Sequence, residues 1–174
     1  IADFIGNYAT TGGAIDNLGN ISSIQGDFIS NHATLAGGAI ENRGKIDNIE
    51  GIFANNISDS YAGAVSNTHG GIIDNLSGTF IGNTAETDGG AIYNNGSNAK
   101  INNINAQFIN NTAQDRGSAI YNSNNATIGN IVGVFIGNTS NGNKGGAVTN
   151  ISGGNINSIS ADFIGNFAGR GAAI

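Results

Sequence analysis

At 174 residues the chain is long enough for one domain with a real core, and its formal net charge of −6 comes with six basic residues scattered along it, not the clustered positive footprint that nucleic acid demands. It has no Cys, which excludes disulfides and thiolate metal sites, and no stretch nears the ~18 apolar residues of a membrane-spanning helix. Gly at 29 residues with only 10% charged residues is a composition shared with disordered low-complexity chains, but the regular spacing of the aliphatic and aromatic residues excludes disorder.

The first landmark in chain order is Phe4-Ile5-Gly6-Asn7. The same Phe returns at Phe28, Phe53, Phe80, Phe108, Phe135 and Phe163, in steps of 24 to 28 residues. Three residues after each comes Asn, at Asn7, Asn31, Asn56, Asn83, Asn111, Asn138 and Asn166. Similarity at such a period is the mark of a solenoid. The second landmark is GGAI at Gly12–Ile15, repeated at Gly37–Ile40 and Gly89–Ile92 and varied as AGAV from Ala62, GSAI from Gly117, GGAV from Gly145 and GAAI from Gly171. Two residues past its aliphatic stands another Asn, at Asn17, Asn42, Asn67, Asn94, Asn122 and Asn150. The third is an aliphatic pair three residues apart, from Ile21/Ile24 to Ile156/Ile159.

Residues two apart share a face of a strand, so Ile24, Gly26 and Phe28 point one way, as do Ile49, Gly51 and Phe53. Only Gly or Ala stands between the aliphatic and the Phe, which suits an inward face where a ring lies over its neighbour. An aliphatic pair three apart cannot share a face of a straight strand, so a corner is expected between its members, at Ser23, Asn48, Asn75, Asn103, Asn130 and Ser158. In the GGAI strand Ile15 and Asn17 are expected inside, and Asp16, Glu41, Ser66, Tyr93, Tyr121 and Thr149 outside.

These spacings predict an all-β chain: a right-handed, single-stranded parallel β-helix with three short strands per rung, 24–28 residues per rung and six to seven rungs over residues 1–174. Stacking at about 4.8 Å per rung sets Phe on Phe and Asn on Asn, with the Asn amides satisfying bend backbone groups and one another. Length varies only after FxxN and after AIxN, the stretches expected to be surface loops.

FxxN alternating with GGAI resembles the repeats of the chlamydial polymorphic outer-membrane proteins and related autotransporter passengers. The motifs that carry it run through the whole chain, as in Phe80–Asn83 with Gly89–Ile92 and Phe108–Asn111 with Gly117–Ile120, while Ala62, Ser118 and Ala172 depart from the Gly positions. The resemblance implies a secreted, surface-displayed passenger whose repeats are associated with adhesion to host cells. Its adhesive partners would be a host or neighbouring-cell protein or glycan, and its anchorage to the outer membrane would lie outside this segment.

Candidate sites fall on the ladder and outside it. The Phe and Asn of FxxN read as core and bend, holding the loops in place. The residue after Phe (Ile5, Ile29, Ala54, Ile81, Ile109, Ile136 and Ile164) forms an aliphatic stripe that is either a lateral association surface or a ridge buried by the bend. Tyr93 and Tyr121 are expected to stack outward as possible contacts, a small carbohydrate platform among them. Paired carboxylates on adjacent rungs, Asp3 with Asp27 and Asp47 with Asp74, could meet the spacing of a polysaccharide-cleaving site. The first column, however, continues as Ile52, Thr79, Gln107, Val134 and Asp162, and catalysis is not expected. His32 and His69 occupy unrelated places and read as loop residues. Thr10, Thr34, Thr84, Thr112 and Thr139 read as bend residues and not as an ice-binding array. Neither a calcium nonapeptide nor a phosphate loop occurs, so no cofactor or metal is implied. Full consensus at both ends leads to the expectation of an uncapped excerpt of a longer solenoid, or of rods that stack end to end into a fibre.

Overall fold

The computed structural model describes residues 1–142 and 144–174. Every strand pairs in parallel with the strand one rung away, and the described strands fall into three sheets that run the length of a solenoid of about six turns. The first sheet carries the aliphatic pair and the Phe. From the third rung onward each of its strands is ten residues long: Lys45–Ala54, Ile72–Ile81, Lys100–Ile109, Thr127–Ile136 and Asn155–Ile164. The second sheet carries the GGAI segments as Ile15–Asn17, Ile40–Asn42, Val65–Thr68, Ile92–Asn95, Ile120–Ser123 and Val148–Asn150. The third follows FxxN, beginning with Tyr8–Thr11 and His32–Ala36 and shrinking to two-residue strands such as Thr84–Ala85 and Thr112–Ala113.

The three strands of a rung are therefore unequal, one long and two short. A corner lies inside each aliphatic pair, but it does not break the strand and it falls one residue earlier than expected, since Ser23, Asn48, Asn75, Asn103, Asn130 and Ser158 pair in register. Ile46 and Ile49 are both buried although three residues separate them, and the pairing skips one position between them, at Asp47 and Asp74. The backbone thus bends inside a continuous ladder, and two short strands become one. Thr84, Thr112 and Thr139 likewise start strands of the third sheet in mutual register, and His32 starts a strand too. Their places read as bends in sequence because the third-sheet strands are too short to show alternation.

The interior is built from columns of like residues. Phe rings from Phe4 to Phe163 stack at 4.5–5.1 Å with interplanar angles of 1–16°, and the five from Phe28 to Phe135 are fully buried. The small residue between aliphatic and Phe answers mainly to the backbone, not to the ring. A Cβ on Gly78 would lie 1.9 Å from the Gly51 carbonyl oxygen, and φ there is 123°. Ala106 holds the same register place without a positive φ, so each rung settles this contact by its own backbone.

Beside the Phe column runs the Asn column of FxxN. Each inner Asn uses its whole side-chain amide. Asn83 Nδ2 donates to Asn111 Oδ1 (2.9 Å) and to the Phe53 carbonyl (2.8 Å), while its Oδ1 accepts from the backbone N–H and the Nδ2 of Asn56 at 3.0 and 2.9 Å. The Asn column of the GGAI segments is linked the same way, from Asn17 to Asn150, at 2.7–2.8 Å. A buried amide left alone is costly, and here every copy is the partner of the next.

The turn of FxxN has a local cause. Its third residue, Gly6, Ser30, Asn55, Gly82, Asn110, Gly137 or Gly165, has φ between 52° and 65° in every rung. Gly and Asn are the residues that enter this left-handed region most readily, and the chain turns there into the third sheet.

Candidate functional site

Because the interior is saturated with its own contacts, chemistry is left to the outside. Phe4, Phe28, Phe53, Phe80, Phe108, Phe135 and Phe163, with Asn7, Asn31, Asn56, Asn83, Asn111, Asn138 and Asn166, face one another across rungs and leave no group for a partner from Asn31 to Phe135. The stripe after Phe is paired in register from Ile5 to Ile164. Ile5, Ile81, Ile136 and Ile164 are exposed, whereas Ile29, Ala54 and Ile109 are half-buried, so an apolar ridge stays open along one edge.

The tyrosines are a correction. Tyr93 and Tyr121 stand in the outward column of the second sheet, yet only 9% and 5% of their surfaces are exposed, so they form no outward platform. The loops that precede the GGAI segments fold over that face. Tyr61 lies on Tyr93 with ring centroids 4.8 Å apart, Tyr93 stacks on Tyr121 at 5.2 Å, and the Arg116 guanidinium sits 5.3 Å above the Tyr121 ring. Arg116 also grips the buried Asp88 through Nε and Nη2 at 3.1 and 3.2 Å. Burial pushes the Tyr93 hydroxyl above its ordinary value, and it also raises the Asp88 carboxyl despite the neighbouring guanidinium. Glu41, Ser66 and Thr149 of the same column are buried as well, against the expectation that they face water.

Where this cover is incomplete, a cleft of about 520 Å³ opens on the second sheet. The outward column runs Asp16, Glu41, Ser66, Tyr93 in register, so its rings begin only at Tyr93. Small Ser66 leaves room for Tyr61 to fold in and add one more ring, and the aromatic run ends there. Toward the chain start the cleft is lined by Leu35, Glu41 and Arg43. Arg43 Nη2 donates to both Asp16 oxygens at 2.5 and 2.7 Å, a bond that holds its guanidinium above its ordinary basicity. Thr68 Oγ1 donates to Glu41 Oε1 at 2.5 Å. The remaining atoms, Glu41 Oε2, Arg43 Nε and Ser66 Oγ, are buried with no protein partner. Sequence reasoning missed this cleft, since its residues come from four rungs and the decisive one, Tyr61, pairs in register with Ala36 at the place before GGAI, where the residue type changes from rung to rung.

The paired carboxylates are engaged structurally. Asp3 Oδ1 accepts from the Asp27 backbone N–H at 3.3 Å and Asp27 Oδ1 from Ile52 at 3.2 Å. Lys45 Nζ bridges Asp47 and Asp74 at 2.8 and 3.2 Å, contacts that raise its own pKa. His32 Nε2 pairs with Asp59 at 2.8 Å and His69 Nδ1 with Thr68 Oγ1 at 2.9 Å. Among the described residues no group of three or more His, Cys, Asp or Glu could hold a metal ion. Among the described residues no helix is long and apolar enough to cross a membrane.

With this geometry in place, the similarity to known proteins falls on the repeats themselves. Residues 77–95 and 105–123 match the Chlamydia polymorphic membrane protein (Chlamydia_PMP) repeat. Each matched stretch covers one FxxN bend, the loop after it and one GGAI strand with its Asn, and so a large part of one rung. No curated protein and no solved structure matches the chain.

Proposed function

We propose that the chain is the rod of an extracellular, surface-displayed adhesin, without enzymatic activity, whose loops meet a protein or glycan on a host or neighbouring cell. The supporting observation is the division between interior and exterior. Phe and Asn columns repeat with little change through successive rungs, while the loops differ in length and sequence from rung to rung. The two stretches that match the polymorphic membrane protein repeat lie within this scheme. A rod stiffened by its own contacts holds varied loops at fixed spacing, as a contact surface requires.

The test is adhesion of beads coated with the chain to a panel of cell surfaces. Adhesion should exceed that of beads carrying a chain with the loops at 96–99 and 124–126 replaced by Gly-Ser segments of equal length. Equal adhesion by both, or none by either, would overturn the proposal.

The open Ile ridge favours a second reading, lateral assembly of rods into a fibre. Sedimentation of the concentrated chain would then show oligomers that Ile81→Lys with Ile136→Lys disperses. A monomer at every concentration excludes it.

A further inference from the structure

The cleft beside Tyr61 gathers three of the four buried side-chain polar atoms that lack a partner among the described residues. Three polar groups from three positions, the Glu41 carboxyl, the Arg43 guanidinium and the Ser66 hydroxyl, converge under one roof and each keeps an atom without a protein partner. Glu41 is 3% exposed and Ser66 is fully buried, and groups so placed ordinarily find partners. The aromatic column stops at Tyr61, so one ring ends its run at the cleft with Leu35 nearby.

The chemistry of the three free atoms narrows what can satisfy them. Glu41 Oε2 accepts, Arg43 Nε–H donates, and the Ser66 hydroxyl does either. An anion meets the acidic Glu41, and a cation meets Arg43, whose other nitrogen is already held by Asp16. A hydroxyl group both donates and accepts without charge, and a ring bearing several hydroxyls on its rim has apolar C–H faces that pack on an aromatic ring. We infer that this cleft binds a neutral sugar, one pyranose ring stacked on Tyr61 and its hydroxyls bonded to Glu41 Oε2, Ser66 Oγ and Arg43 Nε. The cleft volume of about 520 Å³ is within the range of small-ligand sites. Because the three atoms are closed to bulk water, entry turns the Tyr61 and Arg43 side chains, both of which are only half-buried. The inference deepens the adhesive reading by naming a glycan, but sugar binding is read without any cell, so either can fail while the other stands.

The test is a titration of the isotope-labelled chain with methyl glycosides of glucose, galactose and mannose and with N-acetylglucosamine. Glucosamine, N-acetylneuraminic acid and tetramethylammonium serve as charged comparisons. At least one neutral sugar should shift the amide resonances of Tyr61, Ser66 and Gly96 saturably, in the millimolar range. Tyr61→Ala should weaken binding about tenfold or more, a loss of ~1.4 kcal/mol, while Tyr61→Phe retains it. Glu41→Gln should weaken it without moving resonances of the Phe column, which reports that the fold is intact. The inference is overturned if no neutral sugar shifts these resonances, if only a charged probe does, or if Tyr61→Ala binds as well as the parent.

Discussion

A buried Asn is ordinarily a liability, and here it is a repeating unit of cohesion. Asn83 satisfies four partners in two neighbouring rungs. Asn83→Ala should therefore cost about 3–5 kcal/mol in chemical denaturation, since several buried groups are stranded together. Asn75 makes the same kind of contact, donating to Asn48 Oδ1 at 3.0 Å, but it does so in water, and Asn75→Ala should cost less than about 1 kcal/mol. Asp88 supplies a pH signature. Its carboxyl is raised in the folded state chiefly by burial, so the native chain binds the proton more tightly than the unfolded one. Its contribution to stability is thus complete at acid pH and is lost as pH climbs from the ordinary carboxyl value through the raised one. Between about pH 3 and pH 7 the melting temperature of Asp88→Asn should lack that decline, seen as a difference against the parent. At this scale the Phe and Asn positions were legible because identical residues recur at one place in the period. Tyr93 and Tyr121 were not, because strand alternation tells which side a residue faces and says nothing of what lies over it. Tyr61, which covers Tyr93, holds the place before GGAI, where Thr11, Ala36, Asp88 and Arg116 stand in other rungs, so no repeated residue type marks it.

Among the elements, the ten-residue strands of the first sheet carry most of the ladder. Phe80 lies between rings at 4.5 and 5.1 Å with no exposure, and Phe80→Ala should cost about 3–5 kcal/mol, read as a shift in denaturation midpoint. Hydrogen exchange should protect the amides of Ile72–Ile81 and Lys100–Ile109 longest and those of Thr84–Ala85 and Thr112–Ala113 least, because two-residue strands make few ladder bonds. Sequence period placed the strands and named the corner between Ile46 and Ile49. It could not tell that the ladder survives the corner, since the bonds that bridge it belong to backbone atoms, which every residue type shares. The turn residue of FxxN was legible in principle: Gly, Ser and Asn fill the third place in all seven copies, a left-handed signature hidden behind the stronger Phe and Asn.

At the scale of the molecule, each rung touches only its neighbours, so rungs are interchangeable parts. Excision of residues 84–111 brings Asn83 to Thr112, which is the register partner of Thr84. The shortened chain should fold, keep its β circular dichroism and lose about 4.8 Å of length in small-angle scattering. A chain that unfolds on excision would show that distant rungs depend on one another. The amide-to-amide bonds of both buried columns also share one sense: the Nδ2 of each Asn donates to the Oδ1 of the Asn in the later rung, from Asn7 to Asn166 and from Asn17 to Asn150. Damage must then spread unevenly. With the Asn83 amide gone, Asn56 loses the acceptor of two donors and the Phe53 carbonyl loses its donor, whereas Asn111 still receives the Asn83 backbone N–H at 3.0 Å. The wound opens upstream, and the downstream coil stays largely mended.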